Sequence, residues 1–232
     1  QSEKYNQVHL KIITNKEATK EAILKEAKFL EQSKIDDHVV LYISSHGLLD
    51  DQLDYYLATT DVDFNNPSEK GLPYTKVEEM LEKVLSRNRL VLIDACHSGE
   101  IDKEEMMLAD ANPNQNVKAT AKSGAKIVAP KTGLKNSFSY MQALFSDVSK
   151  GLGATVISAA GGMEFAYETG EKQNGIFTHS IIEGLQSKAA DINKDNQIQL
   201  TELQLYIQYR VSELSGGLQV PTTRKINSYK DF

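Results

Sequence analysis

Cys96 and His46 are the two residues whose types and settings best fit covalent chemistry. Cys96 is the sole cysteine of the 232-residue chain. It stands where an apolar, strand-like run over residues 89–94 breaks, after Ala95, into His97-Ser98-Gly99. A cysteine becomes a nucleophile when its thiolate is accessible and a neighbouring base can take the proton. His46 closes a second apolar run in the same way and is followed by Gly47, a residue that would let a substrate approach the backbone closely. Two adjacent parallel strands would bring these ends together. His97 also neighbours Cys96, but successive residues on an extended segment point to opposite faces, so His46 is the better base. A lone cysteine at a strand end is ordinarily a small buried hydrophobe. The conjunction of two such ends, each trailed by glycine, is what points to a nucleophile and its base.

The elements that must hold this pair are read from periodicity. Residues 8–14 alternate and are rich in branched side chains, predicting a strand that runs into an amphipathic helix over about 16–32. Ala22, Ile23, Ala27 and Leu30 mark the buried face of that helix. Residues 38–44 form a short strand-type run, and 48–60 read as a hairpin-like excursion with its turn at 50–52. Pro73 opens a helix with Val77, Met80, Leu81, Val84 and Leu85 at helical spacing. Residues 154–159 make a further strand, and two helices come later, near 178–188 and 200–214. Alternating strands and helices predict an α/β protein with a largely parallel sheet, whose sites form beyond the carboxyl ends of the strands. One domain spans 1–232, with a polar, flexible linker near 111–137 that is too long for a simple connection.

Composition narrows the classes. A net charge of -6 argues against nucleic-acid binding, which requires a surplus of Lys and Arg. Apolar runs are far shorter than the roughly 18 residues of a membrane span, so no membrane partner is expected. A single thiol excludes an internal disulfide and fits a reducing compartment, so a cytoplasmic location is expected. The stretch 111–146 contains five lysines and no acidic residue.

Asp94 lies two residues before Cys96, on the same side of its strand. An unpaired carboxylate there is costly and should recruit a cation, unless Asp94 caps the turn through backbone N–H groups. Asp191, Asn193, Asp195 and Glu202 occupy the first, third, fifth and twelfth places of a calcium-loop pattern, with Asn196 where glycine is usual. Calcium binding is one reading of them. The preferred one is a turn that caps the following helix.

Residues 42–47, Tyr-Ile-Ser-Ser-His-Gly, followed about fifty residues later by 94–99, Asp-Ala-Cys-His-Ser-Gly, resemble the paired signature of caspase-like cysteine peptidases, in the form of metacaspases and their prokaryotic relatives. Later stretches, 158–160, 164–168 and 175–178, are similar to further landmarks of bacterial members. The resemblance implies a three-layer α/β/α sandwich with a mostly parallel central sheet. Its first strand would be absent from this chain, residues 8–14 matching the second, so that an upstream segment or another chain supplies it. It implies hydrolysis of a polypeptide substrate by a Cys96–His46 dyad, with the N–H groups of Gly47 and Cys96 as oxyanion hole and no cofactor required. Asp94 and Ser44 match pocket positions for a basic residue, so cleavage after Lys or Arg is expected. Self-processing in the linker at Lys118, Lys122, Lys126, Lys131 or Lys135 is expected with it. Ser45 replaces the glycine usual before the catalytic histidine. Two other readings stand beside this one: an inactive caspase-like scaffold that binds partners, and a small-molecule thiol hydrolase, for which no phosphate-cradling glycine loop or third orienting acid is evident.

Overall fold

A computed structural model describes residues 5–52, 54–97, 154–159, 174–224 and 231–232. The branched, apolar run Val39-Val40-Leu41-Tyr42-Ile43 favours extended backbone and lies in β1 (His38–Leu49). β4 (Asn88–His97) runs parallel to it in unbroken register from His38↔Asn88 to Gly47↔His97. On one side of this pair, β5 (Thr155–Ser158) continues the parallel ladder and β6 (Thr222–Arg224) adds an antiparallel edge. On the other, the chain folds back from the end of β1 into β2 (Tyr55–Leu57), which pairs antiparallel with it, and then into β3 (Leu72–Pro73). The six-stranded sheet is therefore mixed, in the order β3-β2-β1-β4-β5-β6, and parallel only in its centre.

Helices cover both faces. α1 (Lys20–Glu31) and α3 (Tyr74–Glu82) lie over one side, where Val91, Ile93 and Ala95 pack with Val77, Leu81, Ile23 and Leu24. A short helix, α2 (Pro67–Lys70), precedes β3. α4 (Ile176–Gln186) and α5 (Leu200–Leu214) cover the other side, where Leu90 and Leu92 meet Phe177, Ile181, Leu203 and Ile207. Residues 90–93 are thus apolar on both faces, as an interior parallel strand requires. Among the described residues no helix is long and apolar enough to cross a membrane.

The structure departs from the sequence expectations in several places. Residues 8–14 form no strand: Val8, Leu10 and Ile12 are 75 %, 76 % and 63 % exposed. The alternation is strand-like, but a strand exists only where a neighbour completes its ladder, and no described strand pairs with the segment. Tyr5 hydrogen-bonds His38 at the start of β1 (2.9 Å), and Lys11 is held to Glu26 of α1 by an ion pair (3.1 Å). The first helix begins at Lys20 and not near residue 16, because Thr19 accepts the Ala22 N–H as its cap and a single 3-10 turn fills Asn15–Glu17. Leu85 lies past the end of α3 and is 69 % exposed, while Val84 is buried. The expected linker at 111–137 lies outside the described residues.

α4 and α5 approach closely because Gly184 has no side chain. A Cβ there would come within 2.6 Å of the Tyr206 ring. Beside this contact Arg210 donates to both oxygens of Glu183 (2.7 and 2.9 Å) and to Glu213 (2.7 Å). The Arg210 hydrogen bonds hold the Glu183 carboxyl below its ordinary range. Stabilisation from a lowered carboxylate is fully present above its unfolded pKa and disappears as pH falls through the folded one. Arg210→Ala is accordingly expected to cost about 1 kcal/mol near neutral pH, as a fork-shaped, partly buried pair should. Chemical denaturation of both proteins should show that difference vanishing at acid pH, where Glu183 is protonated.

Candidate active site at the ends of the central parallel strands

The register of β1 and β4 sets positions 46 and 96 side by side, with Ser44 beside Asp94 one step below. Neighbouring strands lie about 4.8 Å apart, and positions two apart share a face, so one face of the sheet carries Tyr42, Ser44 and His46 of β1 beside Leu92 and Asp94 of β4. The ladder thus aligns the backbone positions of the residues expected for the dyad, 46 and 96, and for the pocket, 44 and 94.

His46 is half-buried and its Nδ1 is shielded from solvent. Its ring meets Phe64 edge-on, with centroids 5.7 Å apart and planes at 64°. Its carbonyl accepts from the Ala58 N–H (2.8 Å), while Ser45 Oγ donates to the Ala58 carbonyl (2.7 Å). The serine that replaces the usual glycine thus binds the return strand, fixing the backbone on which His46 sits.

Gly47 has a packing reason to be glycine in addition to the one its sequence setting implies. The space its Cβ would need is filled by the buried Tyr55, whose ring carbons would lie 2.7 Å away. The packing of β2 against the end of β1 excludes a side chain here.

Asp94 is 1 % exposed. Its Oδ2 accepts a short hydrogen bond from Thr178 Oγ1, in the first turn of α4, and Thr178 in turn meets the Tyr42 hydroxyl at 2.6 Å. Asp94 Oδ1 is buried and finds no hydrogen-bond partner among the described residues. No backbone N–H bond to its carboxylate is found there either, which removes support from the turn-capping alternative. Ser44, by contrast, is exposed.

The calcium-like loop engages its own amides. Glu202 Oε1 accepts from the N–H groups of Ile192 (3.1 Å) and Asn193 (3.0 Å), and Oε2 from that of Gln199 (3.0 Å) in a capping box. Asp191 accepts from Asp195 and Asn196 N–H, and Asp195 from Gln197 N–H. Lys194 and Asn196 take left-handed φ values of 61° and 68° to close the turn. Glu202, Asp191 and Asp195 thus each accept N–H groups of the loop itself, the contacts that a turn capping α5 makes.

Sequence reasoning misses Tyr42, Tyr55, Phe64 and Thr178 as site residues. Tyr42 and Thr178 do fall inside stretches that carry the family resemblance; Phe64 sits in a polar loop with no local signal.

Two outcomes test this geometry. Gly47→Ala should lose about 1–3 kcal/mol of stability, as overpacking does, and Tyr55→Leu in the same chain should recover part of it; equal melting temperatures for wild type and Gly47→Ala would contradict the contact. For the loop, melting temperatures in chelator and in millimolar calcium should coincide, since only a ligand of the native state raises stability.

A family model described as Caspase domain matches residues 4–232. Among solved structures the chain is similar to protein GSU0716 from Geobacter sulfurreducens, at 17 % identity and a TM-score of 0.58, over 94 % of this chain and 77 % of that one. At that identity the likeness speaks for the fold. No curated protein matches the chain. The match to the family model extends over nearly the whole length and takes in both strand ends at which positions 46 and 96 meet, and the chain belongs to the caspase domain family.

Proposed function

We propose that the protein is a cysteine endopeptidase that cleaves after Lys or Arg. The observation that carries this is the β1–β4 register, which pairs His46 with Cys96 and Ser44 with Asp94, together with the buried Asp94 oxygen that lacks a partner among the described residues. On this reading the Cys96 thiolate attacks the substrate carbonyl carbon, and the N–H groups of Gly47 and Cys96 receive the oxyanion. His46 gives its proton to the leaving amine, and water then releases the acyl group from the sulfur.

The basic specificity rests on electrostatics. A buried carboxylate is stabilised only when its remaining acceptor sites are filled, and a substrate guanidinium or ammonium would fill Oδ1 of Asp94. The lysines at 118, 122, 126, 131 and 135, outside the described residues, are where self-processing is expected.

The scaffold reading draws its support from the opposite flank of β1. Residues 39–43 face no strand there among the described residues, and Val40 is 56 % exposed. On the peptidase reading, that flank accepts an additional extended segment by strand addition.

Cys96→Ala and His46→Ala should each abolish hydrolysis of a fluorogenic Arg peptide, and the double variant should be no worse than either alone, because members of one catalytic unit act non-additively. A protein that forms no Cys96 adduct with a peptidyl thiol inhibitor would be the scaffold. Faster hydrolysis of an Asp peptide than of Arg and Lys peptides would overturn the specificity.

A further inference from the structure

We infer that Thr178 is a positioning residue for the substrate's basic side chain, acting through Asp94 at the inner end of a chain of hydroxyls that begins at Tyr42. The inference rests on the peptidase reading above and adds the residues that aim the carboxylate.

The direction of the hydroxyl chain is set by elementary chemistry. An ionised carboxylate only accepts, and a hydroxyl has one hydrogen. Thr178 Oγ1 donates to Asp94 Oδ2, so its contact with Tyr42 at 2.6 Å must be one in which Tyr42 donates. The two oxygens of Asp94 are therefore treated differently. Oδ2 is held by the protein, while Oδ1, equally buried, is left for a donor that the described residues do not supply.

The fold makes this arrangement stiff. Thr178 lies in the first turn of α4, directly after Ile176 and Phe177, both of which are 0 % exposed in the core beneath Leu90 and Leu92. Asp94 is fixed on the opposite side by its place in the interior strand. Tyr42 lies on β1 on the same face of the sheet, one step below Ser44, and is 44 % exposed. The chain of hydroxyls thus joins the helix to both central strands, below the position of the dyad. Loss of the Thr178 hydroxyl would leave the carboxylate without its one donor and free to rotate away from the incoming cation.

Such a residue acts on binding of the basic side chain and not on bond cleavage. Thr178→Val is expected to raise KM for Arg and Lys peptides about tenfold, the effect of one lost hydrogen bond to a charged group, with kcat within about twofold. Thr178→Ser should restore the wild-type KM. Tyr42→Phe removes only the outer donor and should raise KM by about two- to threefold, a smaller part of the same hydrogen-bond energy. Binding of the Arg peptide to these variants in a Cys96→Ala background, followed by fluorescence anisotropy, should weaken in the same order. An unchanged KM in Thr178→Val while Asp94→Asn raises it would overturn the inference and leave the specificity intact. Failure of serine to restore KM would also overturn it, showing that threonine serves the helix turn alone. Should Thr178→Val fail to fold, an unchanged KM in Tyr42→Phe would overturn it instead. A wild-type protein that cleaves no basic peptide would sink the underlying specificity itself.

Discussion

The parallel ladder between β1 and β4 is the constraint on which the remaining structure depends. Side chains on paired strands have a period of two, and a slip of one residue would send every one of them to the opposite face. The register from His38↔Asn88 to Gly47↔His97 therefore decides at once which apolar residues enter each core and which polar residues meet at the strand ends. Val91 and Ile93 face α1 and α3, while Leu90 and Leu92 face α4 and α5. Two different cores hold one alignment. The apolar burial that stabilises the domain and the juxtaposition of positions 46 and 96 are consequences of the same geometry.

Around that ladder the antiparallel edges act as braces. β2 returns against the end of β1 and brings Tyr55 over Gly47, while Ser45 and His46 both bond to Ala58. On the far side, the buried Gln219 donates to the Ala159 carbonyl (2.8 Å), tying the segment after α5 to the end of β5. Each brace lies close to the carboxyl ends of the central strands. There the chain must remain ordered after its ladder has run out.

The features legible in the sequence are those set by local pattern. The apolar runs at 38–44, 89–94 and 154–159, the helix over Leu200–Leu214 and the return at 55–57 all have periods or turn residues that declare them. So does the pairing of positions 46 and 96, because both runs break at comparable points. The features that are not legible depend on partners remote in sequence. Residues 8–14 have the alternation of a strand, but the neighbour that would make them one is not in their own pattern. Thr178 is far along the chain from Asp94, and Tyr42 reads simply as part of an apolar run, so their meeting depends on the packing of α4 on the sheet. Gly47 can be read from the histidine beside it, whereas its packing requirement cannot, because Tyr55 arrives from the next strand.

The stretch from Val8 to Ile12 bears on how the protein behaves in concentrated solution. Three outward apolar residues at period two form the kind of segment that templates pairing between molecules, and a charge set among them is a common safeguard against it. Lys11 occupies that place, and its ion pair with Glu26 also fastens the segment to α1 of its own molecule. Both partners are partly exposed, so the attraction is screened by salt. Ionic strength then acts on colloidal stability in two ways together: it loosens the fastening and it weakens the repulsion between lysines on approaching molecules. Raising the ionic strength thus favours contact between these segments on neighbouring molecules.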